Sequence, residues 1–175
     1  MNVIIETERL IIRPLSPSDY EAAFKWCGDP EVNKYLSYPL YKNALDVKKW
    51  LEGRDINDPN NYDLGFVLKS TNELIGSGGI VYKEEPDEWV IGYNLRKDMW
   101  GQGIIVEAMT AIINYVSSIR KINTLTGVCA KENVRSRRVL EKLGLTYCND
   151  VKYNKADGSK VFDAICLKKQ FNHKY

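Results

Sequence analysis

The stretch from Glu88 to Val116, EWVIGYNLRKDMWGQGIIVEAMTAIINYV, limits the fold more than any other part of the chain. Trp89, Ile91, Tyr93 and Leu95 alternate at the strand period, whereas Ile104, Ala108, Ala111, Ile112, Tyr115 and Ile119 recur at the helix period. The period changes at Trp100-Gly101-Gln102-Gly103. Two glycines one residue apart permit positive φ and let a ligand approach without a Cβ in the way. The amides of Gln102 to Ile105 then open a helix, where first-turn N–H groups lack an intrahelical acceptor and stand at the positive dipole end. Strand, glycine turn and helix in this order outline a phosphate site, although a lone G-x-G also serves as ordinary turn chemistry. No Gly-Lys-Ser/Thr follows, which sets aside the P-loop, and Val106 stands where a dinucleotide fingerprint needs its third glycine.

Composition closes off several other classes. With 175 residues and 44% hydrophobic content, the chain is long enough for one well-packed domain. Lys+Arg 25 against Asp+Glu 23 leaves +2, too balanced for nucleic acid or a membrane surface as the main partner. The start lacks a basic segment followed by an apolar core, and no apolar run approaches ~20 residues, so a soluble cytoplasmic protein is expected. Cys27, Cys129, Cys148 and Cys166 form no Cys-x-x-Cys pair, and the single histidine is His173 in the tail. Zinc sites, disulfide frameworks and histidine triads are therefore not expected. The cysteines read as small buried apolar residues.

Arg9 to Arg13 (RLIIR) reads as a first strand that stops at Pro14. Ser16, Pro17 and Asp19 open a helix in a box close to S/T-x-x-E. Asp29-Pro30 starts a short helix through Tyr35, and Asn43 with Asp46 starts a third that carries Ala44, Val47, Trp50 and Leu51 inward. After a polar loop from Gly53 to Asn61, Tyr62–Lys69 and Leu74–Tyr82 form a hairpin, and Pro86-Asp87 turns into the strand at Glu88. Beyond the long helix, Thr124–Ala130 reads as a strand. The next helix places Val134, Val139, Leu140 and Leu143 inward and ends at a left-handed Gly144. Leu145–Tyr153 and Val161–Leu167 make a final hairpin around Asp157-Gly158. The order predicts an α/β (α+β) fold, a mixed sheet flanked by helices.

Four segments now bear on function. TERLIIRP with DPEV (Asp29–Val32) forms the opening, and IGY followed by WGQG the centre. ENVRSRRVLEKLGL (Glu132–Leu145) joins an asparagine, a serine three residues on and a terminal Lys-x-Gly. The last hairpin carries Asp157-Gly158 and Phe162-Asp163. On these residues the chain resembles the GNAT superfamily of acyl-CoA N-acyltransferases, in particular the branch that includes the ribosomal-protein alanine acetyltransferases. The central turn and the Asn-x-x-Ser helix are the specific part; the first and last segments are weak alone.

The resemblance implies one acyl-CoA N-acyltransferase domain over residues 1–175, with a largely antiparallel central sheet and helices on both faces. It implies acetyl-CoA as acyl donor, an amine acceptor, no metal, and a monomer or homodimer. The backbone of Ile91, Tyr93 and Leu95 would line the pantetheine arm like an added strand. Trp100, Gly101, Gln102, Gly103, Ile104 and Ile105 would hold the pyrophosphate. Asn133 and Ser136, one turn apart on one helix face, would meet the arm, and Arg137 or Arg138 would reach a CoA phosphate. Each has a plain alternative: Asn133 as a helix cap, Ser136 as a solvent-facing polar residue, the arginines as a solvated face.

Three departures matter. Ile105 stands where relatives often carry alanine or glycine, so its side chain must turn into the core. Relatives often place a tyrosine seven residues after the asparagine as acid for the leaving thiolate, but position 140 is leucine; Ser136 is the nearest substitute. Relatives tend to carry glutamate just before Ile-Gly-Tyr, but Val90 stands there. Glu88, on the same side of the strand, is the candidate base. The resemblance also puts Trp26, Tyr35, Tyr38 and Tyr41, with Asp29 and Glu31, at the border of an acceptor cleft, where an acidic-edged aromatic pocket and plain core packing are both open. Three function classes remain: an acetyl-CoA-dependent N-acetyltransferase, a non-catalytic acyl-CoA-binding regulator, and a phosphate-binding or interaction domain.

Overall fold

A computed structural model of the protein describes residues 3–171, so His173 lies outside the described residues. Its strands are β1 (Ile5–Glu6), β2 (Leu10–Pro14), β3 (Asn61–Leu68), β4 (Glu73–Lys83), β5 (Glu88–Leu95), β6 (Thr124–Ala130), β7 (Thr146–Asn154) and β8 (Val161–Gln170). They form one sheet in the order β1-β2-β3-β4-β5-β6-β8-β7. Every neighbouring pair is antiparallel except β5 and β6. A parallel pair needs a crossover, and the long helix supplies it.

The helices are α1 (Tyr20–Cys27), α2 (Pro30–Asn33), α3 (Ala44–Glu52), α4 (Ile104–Ile119) and α5 (Val134–Lys142). Their starts follow the cap signals. Asp19 Oδ2 accepts from the Ser16 amide at 2.8 Å, Asp29 Oδ1 from Glu31 N at 2.8 Å, and Asn43 Oδ1 from Asp46 N at 3.0 Å. Pro17 opens a 3₁₀ turn, Pro17–Asp19, that runs into α1. Gly144 and Gly158 take the expected left-handed conformation at φ +85° and +71°.

Two apolar layers cover the sheet. On one face Trp89, Ile91, Leu125, Ile165 and Leu167 pack with Ile104, Met109, Ile112 and Val116 of α4 and Leu140 of α5. On the other, Val67 and Leu74 pack with Ala23, Trp26 and Cys27 of α1 and Val47 and Leu51 of α3. This second layer does not extend over β5 to β8, although Thr126, Ala130, Ala164 and Cys166 are buried there as well.

Four details differ from the sequence expectation. The first strand begins at Leu10 and is preceded by the short β1, which two residues are too few to announce by periodicity. Helix α2 ends at Asn33 rather than Tyr35, because the following carbonyls are taken by the ammonium of Lys155. Ile119 is 51% exposed, since α4 has by then run past the apolar layer. Val134 is 50% exposed, because the first position of α5 faces the cleft described below and not the core.

Candidate active site

A central strand should hold two partners along its whole length, and β5 does not. It pairs with β4 from Glu88 to Leu95, but with β6 only at Trp89↔Leu125 and Val90↔Thr126. Beyond Val90 the two strands part, while β6 stays paired with β8 through Ala130. Alternate N–H and C=O groups of Ile91 to Leu95 therefore face an opening instead of a neighbouring strand. The opening is a cleft of about 1410 Å³. At Gly92 a Cβ would meet nothing within 4 Å, so the strand floor there is bare backbone.

The glycine turn closes one end of the cleft. Gly101 and Gly103 have φ +78° and +75°, and Gly103 is the N-cap of α4. Their positive φ aims successive peptides so that the first amides of α4 face the cleft mouth, which is the geometry of an anion nest. Ile105 is buried in the core, as close approach of a ligand to its amide requires. Trp100 walls this end. Its Nε1 donates to Leu95 O at 2.9 Å, and the Arg135 guanidinium stacks 4.7 Å from its ring centre.

The opposite wall comes from α5. Asn133 caps this helix: its Oδ1 accepts from Ser136 N at 3.2 Å, and its Nδ2 has no partner among the described residues. Cap and ligand donor are thus compatible roles for one side chain. Ser136 Oγ lies 2.8 Å from the Tyr93 hydroxyl, which also donates to Ser136 O at 3.2 Å. Burial raises the Tyr93 hydroxyl well above its ordinary range, so it stays protonated at any working pH. Leu140 fills the space over Gly127 and Ile91, where a tyrosine was expected in relatives. A tyrosine hydroxyl reaches the cleft nonetheless, from β5.

Of the predicted site residues, Ile91, Tyr93, Leu95, Trp100, Gly101, Gly103, Ile104, Ile105, Asn133, Ser136 and Arg138 line the cleft. Gln102 does not; its side chain turns back to Asp98 O at 3.2 Å. Arg137 is drawn away to Glu141 at 2.8 Å, whereas Arg135, not singled out in the sequence, stands on the rim. Glu88 is also off the cleft wall. Its Oε2 accepts from Thr126 Oγ1 at 2.6 Å and from Lys168 Nζ at 2.7 Å. It sits one same-face step before Val90, which does line the cleft, roughly 7 Å further along the strand.

At the other mouth most of the aromatics expected at the acceptor border are core, while Tyr35 and Glu31 line the cleft. Trp26 is fully buried, and Tyr41 packs between Tyr38 and Trp50. Tyr38 donates to Asn94 Oδ1 at 2.8 Å, while Tyr35 lines the cleft. Glu31 is paired with Lys97 and Asp29 is spent on capping α2. The segment Asn33–Tyr38 is fastened to the β7–β8 turn. Lys155 Nζ has four oxygens of Asn33, Leu36 and Tyr38 within 3.4 Å, Ala156 N donates to Ser37 O at 2.7 Å, and Tyr153 donates to Tyr35 O at 2.6 Å.

Cys27, Cys129 and Cys166 are buried as expected, whereas Cys148, on the edge strand β7, is exposed, contrary to the sequence expectation, and does not line the cleft. Burial pushes the Cys27 thiol up to about 12 and the Cys129 thiol to about 11, far from the lowered values of reactive cysteines. Among the described residues no group of three or more His, Cys, Asp or Glu stands together to hold a metal ion. No described helix is long and apolar enough to cross a membrane.

Residues 9–146 match the family model of the Acetyltransferase (GNAT) domain. The chain belongs to the GNAT acetyltransferase family. It is an acetyl-CoA-dependent N-acetyltransferase, and the phosphate-domain reading falls. The YjdG N-acetyltransferase of Bacillus subtilis, itself uncharacterized, is 30% identical over 153 residues, 81% of this chain and 89% of its own length. Among solved structures, a GNAT-family acetyltransferase from Bacillus anthracis superposes with a TM-score of 0.83 at 23% identity, covering 96% of this chain and 98% of its own. The Salmonella typhimurium enzyme that modifies the N-terminal serine of ribosomal protein L7/L12 gives 0.79 at 18% identity, covering 97% and 100%. The GNAT fold expected from the sequence is therefore the observed one.

Proposed function

We propose that the protein moves the acetyl group of acetyl-CoA to a primary amine by direct attack within a ternary complex. The acceptor is a protein amino terminus or a small amine, and the enzyme works in the cytoplasm as a single-domain monomer or homodimer. The observation that carries this reading is the parting of β5 from β6 after Val90, with the glycine turn at its end. An arm of alternating amides fits beside β5 as a strand would, and a pyrophosphate then meets the first turn of α4.

The chemistry follows from the groups at hand. The amine must first lose a proton, with a pKa near ~10.4 for lysine or ~7.7–8.0 for an α-amino group. Glu88, whose side chain is 11% exposed, is the carboxylate on the acceptor face, acting through water. Unpaired N–H groups of β5 polarise the thioester carbonyl as charge develops on oxygen. Collapse of the tetrahedral adduct releases the thiolate. When Tyr93 donates to Ser136 Oγ, the serine O–H is free to donate a hydrogen bond to that sulfur, which leaves as the thiolate while the proton stays on the serine.

This arrangement predicts that Ser136→Ala lowers kcat about tenfold, less than the usual ~10² for a positioned acid because a thiolate of pKa near ~8.5 leaves readily. Tyr93→Phe frees the serine hydroxyl to rotate and should lower kcat several-fold. Steady-state kinetics decide the matter, and wild-type kcat in Ser136→Ala removes the serine from the mechanism.

Asn133→Ala should raise the acetyl-CoA KM several-fold, as expected for one lost hydrogen bond of about 0.5–1.5 kcal/mol. Stability should fall by about 1 kcal/mol through loss of the cap. Normal CoA affinity in a destabilised Asn133→Ala protein leaves the residue a cap alone. The reading as a whole is tested by incubating the protein with acetyl-CoA and mixed peptides and small amines, following thiol release and a 42-dalton-class mass gain, about one acetyl group. No release with any amine, despite CoA binding, returns the non-catalytic regulator.

A further inference from the structure

Behind the glycine turn, on the side away from the cleft, lies a charged cluster that no step above uses. Arg9 stands just before β2. Its Nε and Nη2 each lie 2.6 Å from Glu107 Oε2, and its backbone N donates to Glu107 Oε1 at 3.0 Å. Thr7 Oγ1 donates to the same Oε1 at 2.6 Å. The remaining guanidinium nitrogen, Nη1, donates to the carbonyl of Gln102 at 2.8 Å.

That last bond controls a neighbouring amide. The Gln102 carbonyl and the Gly103 N–H belong to one planar trans peptide, so they point in opposite directions. A carbonyl held toward Arg9 turns the Gly103 N–H the other way, toward the cleft. Glycine at 103 makes this peptide free to flip, and the guanidinium is what locks it.

The cluster also carries a charge problem. Glu107 lies in the first turn of α4, where a carboxylate suits the bare helix but repels a second anion bound at the same end. Burial disfavours its charge, yet the hydrogen bonds from Thr7 and Arg9 outweigh burial and hold the carboxyl below its ordinary range. Glu107 is thus charged at neutral pH and must be offset before a pyrophosphate can settle beside it.

We infer that Arg9 is a positioning residue for the donor's pyrophosphate, fixing the Gln102–Gly103 peptide and offsetting Glu107 without lining the cleft itself. The inference rests on the reading of the cleft as the acetyl-CoA site. Pantetheine, which has the arm but no pyrophosphate, separates the two. By calorimetry and displacement, Arg9→Met should weaken CoA about tenfold, as for one lost charge-assisted bond, and leave pantetheine unchanged. Glu107→Gln added to Arg9→Met should recover part of the loss. Arg9→Lys, which keeps the charge but cannot span both partners, should lose CoA affinity several-fold and serves if Arg9→Met does not fold. Equal loss for CoA and pantetheine, or undiminished CoA affinity, overturns the inference while the donor site stands. A wild-type protein that binds pantetheine and CoA equally, or binds neither, overturns both.

Discussion

Gly103→Val is expected to abolish measurable CoA binding while the protein stays folded. At φ +75° a β-branched residue is strained, by on the order of 1–3 kcal/mol, and relief of that strain turns the Gly103 and Ile104 amides away from the anion. Two lost charge-assisted bonds at about 1.5–3 kcal/mol each amount to a weakening of ~100-fold or more. Gly158→Val is the control, for it also has positive φ, +71°, and open space around it, but lies in the β7–β8 turn. It should carry the strain and keep CoA affinity. Calorimetry on both proteins, with melting curves, distinguishes a damaged site from a damaged fold; undiminished affinity in folded Gly103→Val removes the central premise.

Glu88→Gln is expected to lower turnover by ~100-fold, the usual contribution of a positioned base. It should also remove the enzyme's own acidic limb and leave a rate that simply rises with the fraction of amine already neutral in solution. Acetyl-CoA affinity should hardly change, because Glu88 lies outside the cleft wall. The partners of this carboxylate demand a control. Glu88 accepts from Lys168, and that bond, the largest influence on the lysine, raises its affinity for its proton. Lys168→Met removes the same ion pair and keeps the carboxylate. If the pair only stabilises the sheet, both variants lose turnover alike; if Glu88 is the base, Lys168→Met keeps the acidic limb.

What was legible in the sequence was whatever local chemistry decides. Strand alternation from Trp89 to Leu95, the period change at Gly101-Gln102-Gly103 and the caps at Asp29, Asn43 and Asn133 each act within a few residues, and each is where it was expected. The cleft residues on β5 and at the α4 start followed, because one continuous stretch carries both. What escaped were pairings across long separations. Tyr93 meets Ser136 43 residues away, Arg9 meets Glu107 across 98, and Lys155 meets Asn33 across 122. Nothing in the local pattern of a tyrosine on a strand says that its hydroxyl will support a serine on a later helix. The aromatic residues stayed open between pocket and core for the same reason: Trp26, Tyr38 and Tyr41 look alike in sequence whether they face a ligand or the layer beneath α1 and α3.

The bonds made by Lys155 bear on how a protein of this kind changes its acceptor. Surface loops ordinarily tolerate insertions and deletions independently of one another. Here the segment Asn33–Tyr38 and the turn after β7 share one half-buried ammonium, whose charge burial disfavours and four oxygens satisfy. Lengthening either segment strands the other's carbonyls or leaves that cation without acceptors. In the proposed reading, in which this end of the cleft admits the acceptor, the two segments must change together, while the proposed donor end of the molecule carries on unaltered.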